Sequence, residues 1–132
     1  YNCVIAGGVV PDSVNYINNF RSQLNTQKDS SYSQAYLNFW LDSVNPMEDV
    51  EKVNIPMLVI HGDDDQRTPA KPVEDYIELL EEHDKDFDVL WMEGADHFFN
   101  SWFNHHKLEM YTKIDNFIDQ KCDFESEEVA LR

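Results

Sequence analysis

The chain has 132 residues, of which 42% are hydrophobic and 13% are aromatic, so it can bury the core of one domain. Acidic residues outnumber Lys and Arg by 26 to 10, and the formal net charge of −16 argues against nucleic acids and anionic membranes as partners. No run of about 18 apolar residues occurs, so the sequence predicts no membrane span in this segment.

The chain opens on an apolar run, Cys3 to Ala6, which stops at Gly7-Gly8 and predicts a buried parallel strand followed by a loop. Neither an initiating Met nor a basic leader precedes this run, so we expect a piece of a larger protein. Apolar spacing then predicts two helical segments, Asn15 to Leu24 and roughly Ser33 to Asp42.

Two apolar runs in the second half of the chain predict further strands, each ending at a polar loop. Met57 to Ile60 is unbroken, which is typical of a central parallel strand buried on both faces. Phe87 to Met92 is broken only by Asp88. Both runs therefore fit strands of one parallel sheet.

An amphipathic helix follows each of these strands, the first from about Lys71 to His83 and the second from about Asn104 to Lys121. The positions predicted to face the core are Val73, Tyr76, Ile77 and Leu80 in the first helix and Leu108, Tyr111, Ile114, Phe117 and Ile118 in the second. Strands that alternate with helices pair in parallel through crossover connections. We therefore predict an α/β fold with three parallel strands and crossover helices.

Asp65 and His97 each follow a predicted strand by a few residues. Because neighbouring parallel strands end at the same edge of a sheet, we expect the two side chains to meet. A carboxylate that accepts from a ring N–H fixes the imidazole tautomer that a general base needs. The order Asp then His also follows the nucleophilic Ser in α/β-hydrolases. None of the four glycines frames a Gly-x-Ser-x-Gly elbow, so the nucleophile is expected before Tyr1.

The loop after the second predicted strand reads His61-Gly62-Asp63-Asp64-Asp65-Gln66-Arg67-Thr68-Pro69, and the loop after the third reads Glu93-Gly94-Ala95-Asp96-His97-Phe98. The first resembles the His-Gly-x-x-Asp-x-x-Val-Pro signature of the prolyl oligopeptidase family, with Thr68 where Val is usual. The second is similar to that family's catalytic-His loop. The resemblance runs from about Cys3 to Cys122 and covers the later half of the family's catalytic domain.

This resemblance implies that residues 1–122 form the C-terminal half of an α/β-hydrolase catalytic domain, with 123–132 as an acidic, flexible tail. It implies a serine peptidase in which Asp65, rather than Asp63 or Asp64, is the triad acid and His97 is the base. The expected partners are a peptide substrate and the missing N-terminal half. A homodimer is a further expectation, because excision would expose the edge of the first strand. The isolated chain is expected to be inactive.

Three further roles follow only from the resemblance. Arg67 is placed where prolyl oligopeptidases bind a substrate carbonyl, and Tyr16 and Phe20 where the dipeptidyl peptidase branch lines its S1 pocket. Core packing is an equally good interpretation of the two aromatic residues. In that branch, cysteines at the places of Cys3 and Cys122 form a disulfide. Such a bridge implies a periplasmic or secreted protein, whereas free thiols would imply a cytoplasmic one.

Several alternatives remain open at the level of the sequence. An esterase or lipase of the same fold would use the same residues, and a non-catalytic binding or dimerisation module would keep the fold without the triad. Asp63 and Asp64 fit solvated turn positions, and consecutive carboxylates rarely converge on one cation. His61, at a buried strand end, fits a hydrogen-bonded core residue. We predict no metal and no cofactor.

Overall fold

The computed structural model describes residues 2–8, 45–97, 99 and 104–122, without the side chains of residues 104–106. The helices predicted within residues 15–24 and 33–42 lie outside these ranges, as does the tail 123–132. The described strands are β1 (Val4–Gly7), β2 (Met57–Gly62) and β3 (Phe87–Met92). The α-helices are α1 (Ala70–Glu82) and α2 (Asn104–Lys121), and a short 3-10 helix at Val50–Lys52 was not predicted.

The three strands form one parallel sheet in the order β1-β2-β3. In its register Gly7 lies opposite Ile60, and Gly62 lies opposite Met92. All three strands therefore end at the same edge of the sheet. This topology confirms the predicted α/β fold, in which β2 is the central strand.

Both faces of β2 are covered, which explains its unbroken apolar sequence. Leu58 and Ile60 point into a core shared with Phe117 of α2. Val59 points to the opposite face, into a second core built with Val73 and other residues of α1. Each helix thus buries its apolar stripe on one side of the sheet, and β2 lies between two packed layers.

The predicted inner face of α2 was partly wrong. Leu108 and Tyr111 are 66% and 56% exposed, and the residues of α2 that pack in the core are Met110, Ile114, Phe117 and Ile118. Leu108 and Met110 are two positions apart, so they point to nearly opposite sides of a helix with 3.6 residues per turn. Apolar residues occur on more than one side of α2, and the sequence pattern therefore did not identify the packed side.

A disulfide joins Cys3, just before β1, to Cys122, just after α2, with 5.2 Å between the two Cα atoms. This is the pairing that the family resemblance implied. Cys122 is buried and packs in the same core as Phe117. The bridge therefore ties the beginning of the sheet to the end of the helix that covers it. In the described part of the chain, no helix is both long and apolar enough to cross a membrane.

Candidate active site

The loops that follow β2 and β3 are joined by backbone hydrogen bonds. The N–H of Asp63 donates to Met92 O at 3.2 Å, and the N–H of Asp64 donates to Ala95 O at 3.2 Å. A side-chain bond adds to these, because Gly94 N–H donates to Asp63 Oδ1 at 2.6 Å. The two loops are therefore held together at the edge of the sheet. The side chains of one loop consequently have a defined position relative to those of the other loop.

This close approach depends on Gly62, the last residue of β2. A Cβ atom added there would lie 2.1 Å from the backbone oxygen of Ala95 and 2.7 Å from its carbonyl carbon. Real Cβ atoms do not come so near to backbone atoms. Gly62 is therefore required by the contact between the two loops.

Asp65 and His97 lie on these two joined loops, and their side chains meet. His97 Nδ1 lies 2.8 Å from Asp65 Oδ2 across 32 positions of sequence. The Asp65 side chain is almost completely buried, whereas that of His97 is 23% exposed. The two side chains thus meet, as we expected from the sequence, and the structure adds that the carboxylate is buried while the imidazole remains accessible from solvent.

Four donors surround the Asp65 carboxylate. The backbone N–H groups of Arg67 and Thr68 donate to Oδ1 at 2.8 and 2.9 Å. The Thr68 hydroxyl donates to Oδ2 at 2.7 Å, and His97 is the fourth donor. Burial by itself raises the pKa of Asp65, but the bonds from Thr68, His97 and Arg67 outweigh it and lower that pKa to about 2. Asp65 is therefore ionised at neutral pH.

Ionised Asp65 determines the tautomer of His97. A carboxylate only accepts hydrogen bonds, so the proton of the imidazole must lie on Nδ1, where the 2.8 Å contact is made. The other ring nitrogen, Nε2, is then the one that can exchange a proton with a reacting group. This division of roles is the chemistry of a general base oriented by an acid.

Two residues that contact this pair were not assigned a role from the sequence. Gly8, which follows β1, lies against the imidazole, because a Cβ added there would be 3.2 Å from His97 Cε1. Its φ of 61° is also positive, a conformation that residues other than glycine rarely adopt. Thr68 contacts both Asp65 and His97. The available signals were the Gly7-Gly8 pair after a strand and the Thr in place of the usual Val.

The structure describes some of the other residues that the sequence singled out, but not all of them. Arg67 is exposed beside Asp65, whereas Tyr16 and Phe20 lie outside the described residues, so their roles stay predictions. His61 is fully buried, as expected, and donates from Nε2 to the carbonyl oxygen of Thr68 at 2.9 Å. Asp63 is not simply solvated, because it accepts the bond from Gly94.

Asp64 accepts a bond from Gln66 at 3.1 Å. In the ranges that the structure covers, no group of three or more His, Cys, Asp or Glu side chains is arranged to hold a metal ion. The carboxylates at positions 63–65 have different partners, namely Gly94, Gln66 and the donors around Asp65. They therefore do not share a common centre.

Solved structures with the same fold include proteins named as acylaminoacyl peptidases and as an esterase. The uncomplexed acylaminoacyl peptidase of Pyrococcus horikoshii is similar with a TM-score of 0.73 at 16% identity, over 96% of this chain and 21% of that chain. An acylaminoacyl peptidase in complex with Z-Gly-Gly-Phe-chloromethyl ketone gives 0.71 at 16% identity, over 92% and 20%. Esterase 2 of Thermogutta terrifontis gives 0.62 at 17% identity, over 89% and 40%. The chain thus spans about a fifth of the length of these acylaminoacyl peptidases.

A comparison with curated protein sequences finds no match. The family model of the prolyl oligopeptidase family, in contrast, matches residues 1–125, which is nearly the whole chain. This match agrees with the parallel sheet, with the Asp65–His97 pair at its edge and with the fold of the similar structures. The chain belongs to the prolyl oligopeptidase family.

Proposed function

We propose that this chain supplies the general base, His97, and its orienting acid, Asp65, to a serine-type peptidase. The observation that supports this most strongly is the 2.8 Å bond between His97 Nδ1 and the buried carboxylate of Asp65. The nucleophilic Ser belongs, in this proposal, to the N-terminal half of the catalytic domain in a longer polypeptide. The share of about a fifth that the chain covers in the acylaminoacyl peptidases supports this arrangement.

The proposed reaction is hydrolysis of a peptide bond by acyl transfer. His97 Nε2 takes the proton of the Ser hydroxyl as its oxygen attacks the carbonyl carbon, and then gives that proton to the leaving amine. Water repeats the sequence on the acyl-enzyme, which releases the acid and restores the Ser. Asp65 stays ionised throughout and stabilises the imidazolium that forms at each step.

Peptides are the proposed substrates, since the similar acylaminoacyl peptidase is solved in complex with Z-Gly-Gly-Phe-chloromethyl ketone. Arg67, exposed two residues beyond Asp65, is proposed to bind a substrate carbonyl. Tyr16 and Phe20 are proposed to line the S1 pocket. The Cys3–Cys122 disulfide supports an extracytoplasmic location, because disulfides persist mainly in oxidising compartments.

The proposal is tested on the longer polypeptide by labelling with a fluorophosphonate probe and by hydrolysis of matched peptide and ester substrates. We expect labelling and peptide cleavage, both abolished by His97→Ala. The matched control is His83→Ala, because His83 follows α1 near the start of β3, at the opposite end of the strands. The isolated chain should show no turnover.

Other outcomes would support other functions. Cleavage of the ester but not of the peptide would indicate an esterase or lipase. Neither labelling nor turnover would indicate a non-catalytic module of the same fold. Turnover by the pure isolated chain that disappears with His97→Ala would contradict the need for a Ser from outside it.

A further inference from the structure

The hydroxyl of Thr68 lies between the two residues of the proposed catalytic pair. Its Oγ1 atom is 2.7 Å from Asp65 Oδ2 and 3.3 Å from His97 Nδ1. The backbone N–H of the same residue donates to the other carboxylate oxygen, Oδ1, at 2.9 Å. Thr68 therefore contacts both oxygens of Asp65 and the imidazole as well.

The charge of Asp65 determines the direction of these bonds. Because the carboxylate is ionised, the single hydroxyl proton of Thr68 is donated to Oδ2. The oxygen lone pairs of Thr68 are then left to face the proton on His97 Nδ1. That proton is consequently shared between a near acceptor, Asp65 Oδ2 at 2.8 Å, and a more distant one, Thr68 Oγ1 at 3.3 Å.

Thr68 is held in place from β2. Thr68 is buried together with Asp65, with 3% and 5% of the two residues exposed, so bulk water does not take the place of the hydroxyl. The carbonyl oxygen of Thr68 accepts a bond from His61 Nε2, and His61 is fully buried. The ring of His61 in turn meets Trp91 of β3 edge to face, with 5.6 Å between ring centroids. The backbone of Thr68 is thus anchored to the sheet.

We propose that Thr68 is a positioning residue of this site, whose hydroxyl selects the carboxylate oxygen that faces His97 and gives the Nδ1–H a second acceptor. This inference rests on the proposed function of the Asp65–His97 pair. Thr68 acts through these two residues, so its effect belongs to the chemical step and not to substrate binding. A valine, which is usual here in the family, keeps the shape of the side chain but removes both contacts.

The test uses Thr68→Val in the longer polypeptide, with Thr68→Ser as the conservative control. Because valine is common at this position in the family, the variant is compatible with the loop, and its fold is checked by circular dichroism. We expect kcat to fall about tenfold with KM unchanged, since a buried hydrogen bond to a charged group is lost. Thr68→Ser, which keeps the hydroxyl, should have a kcat within about twofold of that of the unsubstituted protein.

A spectroscopic readout accompanies the kinetics. The Nδ1–H proton of His97, observed by NMR in its hydrogen bond to Asp65, should change its chemical shift in Thr68→Val and return in Thr68→Ser. Unchanged kcat and an unchanged Nδ1–H resonance in Thr68→Val would overturn the inference. An equal loss in both variants would also overturn it, because the hydroxyl would then not be responsible.

Failure of the proposed function would look different. In that case the His97→Ala variant, which keeps Thr68, would turn over substrate as fast as the unsubstituted protein. The NMR experiment would still report whether Thr68 shapes the hydrogen bond between His97 and Asp65, since it needs no substrate. The two conclusions therefore fail by separate observations.

Discussion

An alanine at position 62 should force apart the two loops that carry Asp65 and His97. The added Cβ would lie 2.1 Å from Ala95 O, whereas ordinary contacts begin at 3.4 Å, so the separation must grow by about 1.3 Å (3.4 minus 2.1). The atom that the added Cβ meets belongs to the backbone, and Ala95 is fully buried, so no flexible side chain can absorb the change. The displacement enters the chain two residues before His97.

The expected consequence is a loss of activity larger than the loss of stability. A misplacement of about 1 Å costs catalysis on the order of 100-fold, and overpacking costs roughly 1–3 kcal/mol in the free energy of unfolding. We therefore expect Gly62→Ala in the longer polypeptide to lower kcat/KM about 100-fold while the protein remains folded. Activity is measured per folded molecule, with unfolding followed in urea.

Gly7→Ala is the matched control, because Gly7 ends β1 at the same edge of the sheet. Among the residues that the structure describes, its added Cβ would meet the Phe99 side chain alone, at 3.6 Å, which is an ordinary contact. This variant should keep kcat/KM within about twofold. Wild-type kcat/KM in folded Gly62→Ala, or an equal loss in both variants, would refute the steric reasoning.

Three further predictions concern stability and substrate binding. The pKa of Asp65 is lowered from 3.8 to about 2. The ionised carboxylate therefore stabilises the folded protein above pH 3.8, and this stabilisation is lost as the pH falls through 2. At 1.36 kcal/mol per pKa unit, it contributes about 2 kcal/mol to the free energy of unfolding. Urea unfolding between pH 6 and 2 should show a smaller pH dependence in Asp65→Asn, and an equal dependence would count against the assignment. Reduction of Cys3–Cys122, which spans 119 positions, should lower the free energy of unfolding by up to about 5 kcal/mol, and an unchanged denaturation midpoint would contradict this. Arg67→Ala should raise KM with little change in kcat if Arg67 binds the substrate, whereas an unchanged KM would remove that role.

The parts of the fold that depend on local pattern were predictable from the sequence. A strand buried on both faces has a continuous apolar sequence, and Met57 to Ile60 therefore identified the central strand. Parallel topology then brought the loops bearing Asp65 and His97 to one edge, so their meeting followed without knowledge of any distance. The 3-10 helix at Val50–Lys52 is too short to produce a periodic signal and was missed.

Features that depend on distances between remote loops were not predictable. The sequence gives no sign that Gly62 faces the oxygen of Ala95, because that contact arises only when both strands have paired. The replacement of Val by Thr68 was visible, but its hydroxyl acquires meaning only beside Asp65 Oδ2 and His97 Nδ1. The pairing of Cys3 with Cys122 came from the family resemblance, since two cysteines alone do not show that they meet.

The most direct measurement of the central claim, that Asp65 works through His97, is a double-mutant cycle in the longer polypeptide. Asp65→Asn should lower kcat by on the order of 10⁴, because an amide favours the wrong imidazole tautomer. Residues that act as one unit have non-additive effects, so the variant with both Asp65→Asn and His97→Ala should be no slower than His97→Ala alone. Losses that multiply in the double variant would contradict the account.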